Sequence, residues 1–287
     1  MKICRFDDDR LGLVEGDRVR DVSAALDVLP TARWPLPPGD PLIANLDAVI
    51  ARIGEIAGGA EALALDGVAL KCPVANPGKI VGAPINYSKH HDEAAKDKTI
   101  AYGRDVKSMS IGDMGLFLKA TSALVGPAEG VTIRFPDSRN DHEVELAAII
   151  GKTGSRIRRE DALDHIAGYA IGLDMTVRGP HVPSFRKSVD SYAVLGPWLV
   201  TRDEIADPNN LDLSISVGGE KRQDSNTSYM IYDVERLIEF ASEYYTLYPG
   251  DIIMTGTPEG VGPVAPGDVM HCRAERIGAM DVKVRAA

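Results

Sequence analysis

Residues 2–22 alternate between apolar and polar side chains, and Glu15-Gly16-Asp17 breaks the alternation between LGLV and RVRDVS. Alternation with a period of two sends every second side chain to one face of a strand, and a Gly-centred break is a tight turn. The segment therefore predicts a small β-hairpin unit. After Pro41 the period changes. Ile43, Leu46, Val49, Ile50, Ile53 and Ile56 recur at the spacing of one helical face, which predicts an amphipathic helix from Pro41 to about Ile56. The following stretch, GGAEALALDGVALKCPVANPGK, has no clear period and carries Gly, Pro and Asn. It reads as the boundary between a small N-terminal domain, residues 1–72, and a main domain, residues 73–287.

Beyond residue 79 the pattern is mostly that of strands: VELAAII (144–150), YAIGLDMTV (169–177) and LDLSISV (211–217) are short and β-rich. Two Pro-Gly-Asp sequences, 249–251 and 266–268, mark turns, with Pro at the second position and Gly accepting a positive φ. Among few helical patterns, Ile231–Tyr245 is the clearest, with Val234, Leu237, Ile238 and Ala241 on one face. The expected class is α+β, dominated by antiparallel or rolled sheet. No internal repeat or low-complexity tract interrupts it.

Composition narrows the choice of partner. A chain of 287 residues with 44% hydrophobic content supports a sizeable core, and a net charge of -10 argues against nucleic acid or an anionic membrane. It leaves room for an anionic small molecule, because a bound cation or local Lys and Arg inverts the field at one site. The cysteines, Cys4, Cys72 and Cys272, are scattered, so neither a disulfide framework nor a zinc knuckle is indicated. MKICRFDDDR turns acidic where a signal peptide is apolar, and no run approaches the roughly 20 apolar residues of a spanning helix. The expectation is a soluble cytoplasmic protein.

Three constellations carry chemistry. In Asp141-His142-Glu143-Val144-Glu145, residues two apart on a strand point to one face, roughly 6.6 Å apart at Cα, so Glu143 and Glu145 converge. Two adjacent carboxylates repel unless a cation or a proton neutralises them. A solvated sheet face would also accept them, but here they lead straight into apolar LAAIIG. Asp174 interrupts the apolar YAIGLDMTV, where a charge is costly unless paired or coordinated; a turn or cap role is the alternative. Three carboxylates without Cys or clustered His form a hard oxygen site suited to Mg²⁺, Mn²⁺ or Ca²⁺ rather than zinc or copper.

The second constellation is Asn86-Tyr87-Ser88-Lys89-His90-His91-Asp92-Glu93. A helix starting near Ser88 puts His90 and Glu93 at i, i+3 on one face, where a carboxylate orients the imidazole as a general base. The competing reading is a solvated helix start with acids near its positive end. The third is Thr255-Gly256-Thr257-Pro258-Glu259-Gly260-Val261-Gly262, a Gly-rich loop with neither a phosphate-loop nor a dinucleotide pattern, open as a tight turn or an anion contact.

Together these segments resemble the fumarylacetoacetate hydrolase family in its smaller bacterial form. The resemblance runs through PGKIVGAPINYSKHHDE, GLFLKATSALVGP, DHEVELAAIIGK, DHIAGYAIGLDMTVR, FRKSVDSYAVLGPWLVT and LYPGDIIMTGTPEGVGPVAPGD, roughly residues 79–285. It implies a rolled β-sheet core, a homodimer, and a metal held by Glu143, Glu145 and Asp174. It further implies that Lys187 faces the substrate, that His90 and Glu93 form a dyad on a mobile segment, and that Thr257, with Gly256, Arg178 and Lys119, contacts an oxo-acid. One departure stands out. Many members continue the Asp-x-Thr-x-Arg block with Asp and a substrate-contacting Gln, whereas this chain has Arg178-Gly179-Pro180-His181 and a shorter run to Lys187. His181 or Arg186 is expected to take over recognition of the substrate tail.

The function implied is metal-dependent hydrolysis of a C–C bond in a 2,4-dioxo acid, an acylpyruvate or fumarylpyruvate-like compound, as in aromatic catabolism. Alternatives with the same site are oxaloacetate decarboxylation and isomerase or dehydratase chemistry on a 2-oxo or 2-hydroxymuconate-type acid. A non-catalytic metal or oxo-acid binding module is the rival from another class, and the His90–Glu93–Lys187 set argues against it.

Overall fold

The computed structural model describes residues 1–101 and 108–287. Its spine is a large sheet whose strands lie in the order Ala62–Ala64, Arg18–Asp21, Arg10–Glu15, Lys2–Phe6, Ala193–Thr201, Ile166–Asp174, Val144–Ile150, Ile252–Met254, Ile80–Gly82 and Phe117–Lys119. The N-terminal strands form a meander, and pairing of Lys2 with Val200 joins them to the rest of the sheet. A second sheet runs Glu220–Asn226, Asp212–Val217, Val269–Ala274, Gly278–Ala286 and Val131–Ile133. Most pairings in both sheets are antiparallel, as expected for the α+β class.

The apolar run VELAAII is the strand Val144–Ile150, buried at every position. It shows no polar alternation because both faces are covered. Val144, Leu146, Ala148 and Ile150 pack with the second sheet and with Val234, Leu237 and Ile238 of the helix Val234–Tyr244. Ala147 and Ile149 turn the other way and pack with Val49 and Ile53 of the helix Leu46–Ile56. A period of two thus divides one apolar segment between two cores.

Strand directions gather the functional segments at one end of the sheet. Ile80–Gly82 and Ile252–Met254 are parallel, and both are followed by candidate segments. Val144–Ile150 runs antiparallel to Ile252–Met254, so it begins at that end. Ile166–Asp174 ends there and Ala193–Thr201 begins there, the latter preceded by Lys187. Among the described residues no helix is long and apolar enough to cross a membrane.

Three sequence expectations are corrected. The helix expected over 41–56 is two pieces, Pro41–Ala44 and Leu46–Ile56, separated at Asn45 with φ -120 and ψ 23. The Asn45 amide donates to the Pro41 carbonyl at 2.8 Å and competes with the helical backbone pattern. The strand expected over 169–177 runs from Ile166 to Asp174 and then breaks at Met175, whose N–H bonds the Tyr192 carbonyl. The helix near 231–245 begins at Val234, where the Asp233 carboxylate caps it by accepting from Arg236 N at 2.8 Å.

Candidate active site

Register brings the three carboxylates together. Val144 pairs with Leu173 and Glu145 with Gly172, so Glu143 lies opposite Asp174, and Asp174 N donates to the Glu143 carbonyl at 2.9 Å. Glu143 and Glu145 share a face by the period of two, and the strand crossing supplies Asp174 to that face. One oxygen from each lies within 4.8 Å of the others, and all three residues are buried. Lys187 Nζ bridges two of them, 2.6 Å from Glu143 Oε2 and 2.5 Å from Asp174 Oδ2.

The remaining oxygens are locked from behind. Glu143 Oε1 accepts from Arg178 at 2.8 Å, and Asp174 Oδ1 accepts from Lys119, which also donates to the Tyr192 carbonyl at 2.8 Å. Glu145 Oε2 accepts from Gly256 N at 2.8 Å, leaving Oε1 without a hydrogen-bond partner among the described residues. This asymmetry appears in the ionisation. Burial pushes Glu143 up, but the Lys187 and Arg178 charges outweigh it and hold the carboxyl below the usual range. Glu145, with no cation bonded to it, is pushed well above that range by burial, with Asp174 adding like charge. Three buried carboxylates whose oxygens converge within 4.8 Å fit a hard divalent cation.

The second constellation faces the same space. The helix Ser88–Lys96 starts where the sequence predicts, and His90 Nδ1 lies 2.7 Å from Glu93 Oε2. Glu93 Oε1 accepts from Gly260 N at 3.1 Å, which ties the helix to the Gly-rich loop. That loop follows Ile252–Met254 and turns at Gly256, whose φ is 96° and whose added Cβ would fall 2.6 Å from the Asn86 Cβ. Only glycine fits there. His90, Glu143, Glu145, Arg178, Lys187 and Thr257 all line one cavity of about 430 Å³, otherwise walled largely by apolar residues such as Ile85 and Phe117.

Other sequence-nominated residues sit differently. Lys119 is buried behind Asp174 and is not a cavity-lining residue; burial pulls its ammonium below the usual lysine range against the attraction of Asp174. His181 is exposed, edge-on to Phe185 at 5.2 Å, and does not line the cavity, whereas Arg186 does. The proline of the short helix Pro183–Arg186 lines the cavity, and His181 precedes that helix at an exposed position. The Thr257 hydroxyl donates to the Val144 carbonyl at 2.9 Å and the Gly256 N–H is held by Glu145, so both are engaged in framing the carboxylates. Sequence reasoning missed Asp141, which accepts from Arg139 and Arg178 at 2.7 Å each, and Gln223. Asp141 stands in the same DHEVE block, but the E-x-E spacing singles out only Glu143 and Glu145.

Residues 79–285 match the profile of the fumarylacetoacetate (FAA) hydrolase C-terminal family. The chain belongs to the fumarylacetoacetate hydrolase family. Its relatives within it include a maleylpyruvate hydrolase from Aquipseudomonas alcaligenes, 56% identical over 286 residues and covering 100% of both chains. A mitochondrial oxaloacetate tautomerase from Bos taurus is 36% identical over 230 residues, 76% of this chain and 69% of that protein. Among solved structures, maleylpyruvate hydrolase from Sphingobium sp. SYK-6, in complex with manganese(II) and pyruvate, superposes with a TM-score of 0.83 at 38% identity over 100% of both chains. The fold is therefore that of a hydrolase family, one member of which is solved with manganese and pyruvate bound.

Proposed function

We propose that this chain is a metal-dependent hydrolase that cleaves the C–C bond of an acylpyruvate to give pyruvate and a carboxylic acid. The observation that carries the reading is that His90, held by Glu93, lines the same cavity as Glu143 and Glu145 of the acidic cluster. A binding module has no use for a base held at 2.7 Å by a carboxylate beside a cation site. Glu143, Glu145 and Asp174 would hold Mg²⁺ or Mn²⁺, which supplies Lewis-acid polarisation of the 2-oxo group of the substrate.

The chain's own residues do the rest. Glu93 fixes the His90 tautomer with the proton on Nδ1, so Nε2 accepts the proton of a water attacking the distal carbonyl carbon. A C–O bond forms there, the C–C bond to the methylene carbon breaks, and its electron pair passes into the pyruvate enolate. The Lys187 ammonium stabilises the enolate oxygen as its charge develops. His90 then returns its proton to the methylene carbon. The apolar cavity wall limits competing water and strengthens these charges.

The same reading takes the protein as a cytoplasmic homodimer, two-fold symmetry being the commonest closed arrangement. The decisive assay measures pyruvate release from a panel of acylpyruvates, with oxaloacetate as comparison, after chelation by EDTA and after adding back Mg²⁺, Mn²⁺ or Zn²⁺. Turnover should vanish with EDTA and return with Mg²⁺ or Mn²⁺. Full turnover in protein shown to be metal-free would refute the reading.

A further inference from the structure

We infer that Gln223 is a positioning residue that sets the spacing of Glu143 and Glu145 from the opposite sheet. This rests on the reading of Glu143, Glu145 and Asp174 as metal ligands. The strand Glu220–Asn226 is polar throughout, and its one fully buried residue is Gln223, 1% exposed. A buried amide costs free energy unless its donors and acceptor are satisfied. Here all are. Oε1 lies 3.1 Å from Val144 N and 3.1 Å from His142 Nδ1, while Nε2 donates to Thr257 Oγ1 and to the Pro258 carbonyl, both at 2.8 Å.

The orientation of the amide follows from its neighbours. Rotating it by half a turn would set its NH₂ against the Val144 N–H and its oxygen against the Pro258 carbonyl, two repulsive pairs. With Oε1 as acceptor, the His142 proton sits on Nδ1.

The bonds close a ring around the residue between the two glutamates. Val144 N donates to Gln223, Gln223 donates to Thr257, and Thr257 donates to the Val144 carbonyl at 2.9 Å. Both peptide groups that flank Val144 are therefore fixed, so the side chains on either side of it leave the strand at set positions. The strand also backs the Gly-rich loop: a Cβ added to Gly260 would strike the Arg222 carbonyl at 2.1 Å, and Gly260 N is the group that holds Glu93. The Gln223 amide thus fixes the backbone between the two glutamates, and its strand packs on the loop whose Gly260 N holds Glu93. Hydrogen bonds behind metal ligands typically account for a 10–100-fold difference in affinity.

The test is calorimetric titration of Mn²⁺ into metal-stripped wild type, Gln223→Leu and Gln223→Glu, each below its melting temperature. Gln223→Leu should lose roughly 10–100-fold in Mn²⁺ affinity. Gln223→Glu keeps the acceptor for Val144 N but loses the donor to Pro258, and should fall between the two. If Gln223→Leu does not fold, the Glu variant decides alone. A folded variant with a lower melting temperature and wild-type Mn²⁺ affinity would show a merely structural role and overturn the inference. Wild type that binds Mn²⁺ yet hydrolyses no acylpyruvate would refute the proposed reaction and leave this inference standing; wild type that takes up no Mn²⁺ would refute the metal reading.

Discussion

Lys187→Met should move metal affinity and turnover in opposite directions. The Lys187 ammonium sits 2.6 Å from Glu143 Oε2 and 2.5 Å from Asp174 Oδ2, the two oxygens a metal ion would need. Unit charges about 4 Å apart interact by about 4 kcal/mol at an effective dielectric of 20, and a divalent ion doubles this. The ammonium must therefore withdraw before a cation settles. Removing it removes that cost, and recovery of even about 1.4 kcal/mol makes Mn²⁺ binding tenfold tighter. Without metal the same substitution leaves buried carboxylates uncompensated, which costs about 3–5 kcal/mol. At about 2–4 °C per kcal/mol for a chain somewhat smaller than this one, the melting temperature should drop by roughly 5–15 °C. Saturating Mn²⁺, at about 100 times its dissociation constant, should return about 2.7 kcal/mol of that loss. Turnover should fall by about 10²–10³-fold, the usual worth of one group stabilising a developing oxyanion. Calorimetry, scanning fluorimetry with and without Mn²⁺, and pyruvate release read the three quantities. Weaker Mn²⁺ binding by folded Lys187→Met protein would refute the competition argument.

His90→Ala should lower kcat on an acylpyruvate by about 10²–10⁴-fold with little change in KM, while any oxaloacetate decarboxylation survives; equal loss of both activities would make His90 a positioning residue. Glu93→Gln should follow in direction with a smaller loss. Alkaline pH should destabilise the fold, because burial raises the Cys4 and Cys72 thiols from 9.0 to about 12 and raises the Cys272 thiol likewise. These groups keep their protons in the folded state and lose them on unfolding, so stability is complete below the unfolded value and declines above it, by about 1.4 kcal/mol per group per pH unit. Equal urea midpoints at about pH 8 and about pH 10 would contradict this. Asp40→Ala should cost about 2–4 kcal/mol and leave kcat intact, since its carboxylate accepts from the backbone of Leu42, Ile43, Ala75 and Asn76, joining the first helix to the following linker.

What the sequence reveals and what it hides divides by range. The E-x-E convergence and the His90–Glu93 contact rest on periods of two and three to four, which are local, and both are found. The break at Asn45 is local too, yet the apolar period runs through it; only a side chain bonding its own helix start stops the helix. Lys119 and Gln223 lie beyond such reasoning, because their partners are 55 and about 80 residues away. A family block names Lys119 as a site residue, but only the register decides that it stands behind Asp174 rather than before the substrate. His181 fails similarly: it occupies the sequence position of a missing contact, and the chain turns it outward.

The polar contacts around the three carboxylates explain why so many residues serve so small a site. Each carboxylate has one oxygen locked by the protein: Glu143 by Arg178, Asp174 by Lys119, and Glu145 by Gly256 N. Each therefore offers a single oxygen inward. A carboxylate free to rotate could bind a cation with both oxygens, and three such groups could enclose it. Locked as they are, the three supply three oxygens, fewer than the six or more a hard cation takes. The balance has to come from water or from a ligand with its own oxygens, and a 2-oxo acid carries two at chelating distance. If the three carboxylates hold a cation as proposed, Arg178, Lys119 and Gly256 would keep it accessible as much as they hold its ligands. On this argument Lys119 matters to substrate binding without touching substrate, and Gly256 cannot be replaced even by alanine, since both its φ and its approach to Asn86 forbid a side chain.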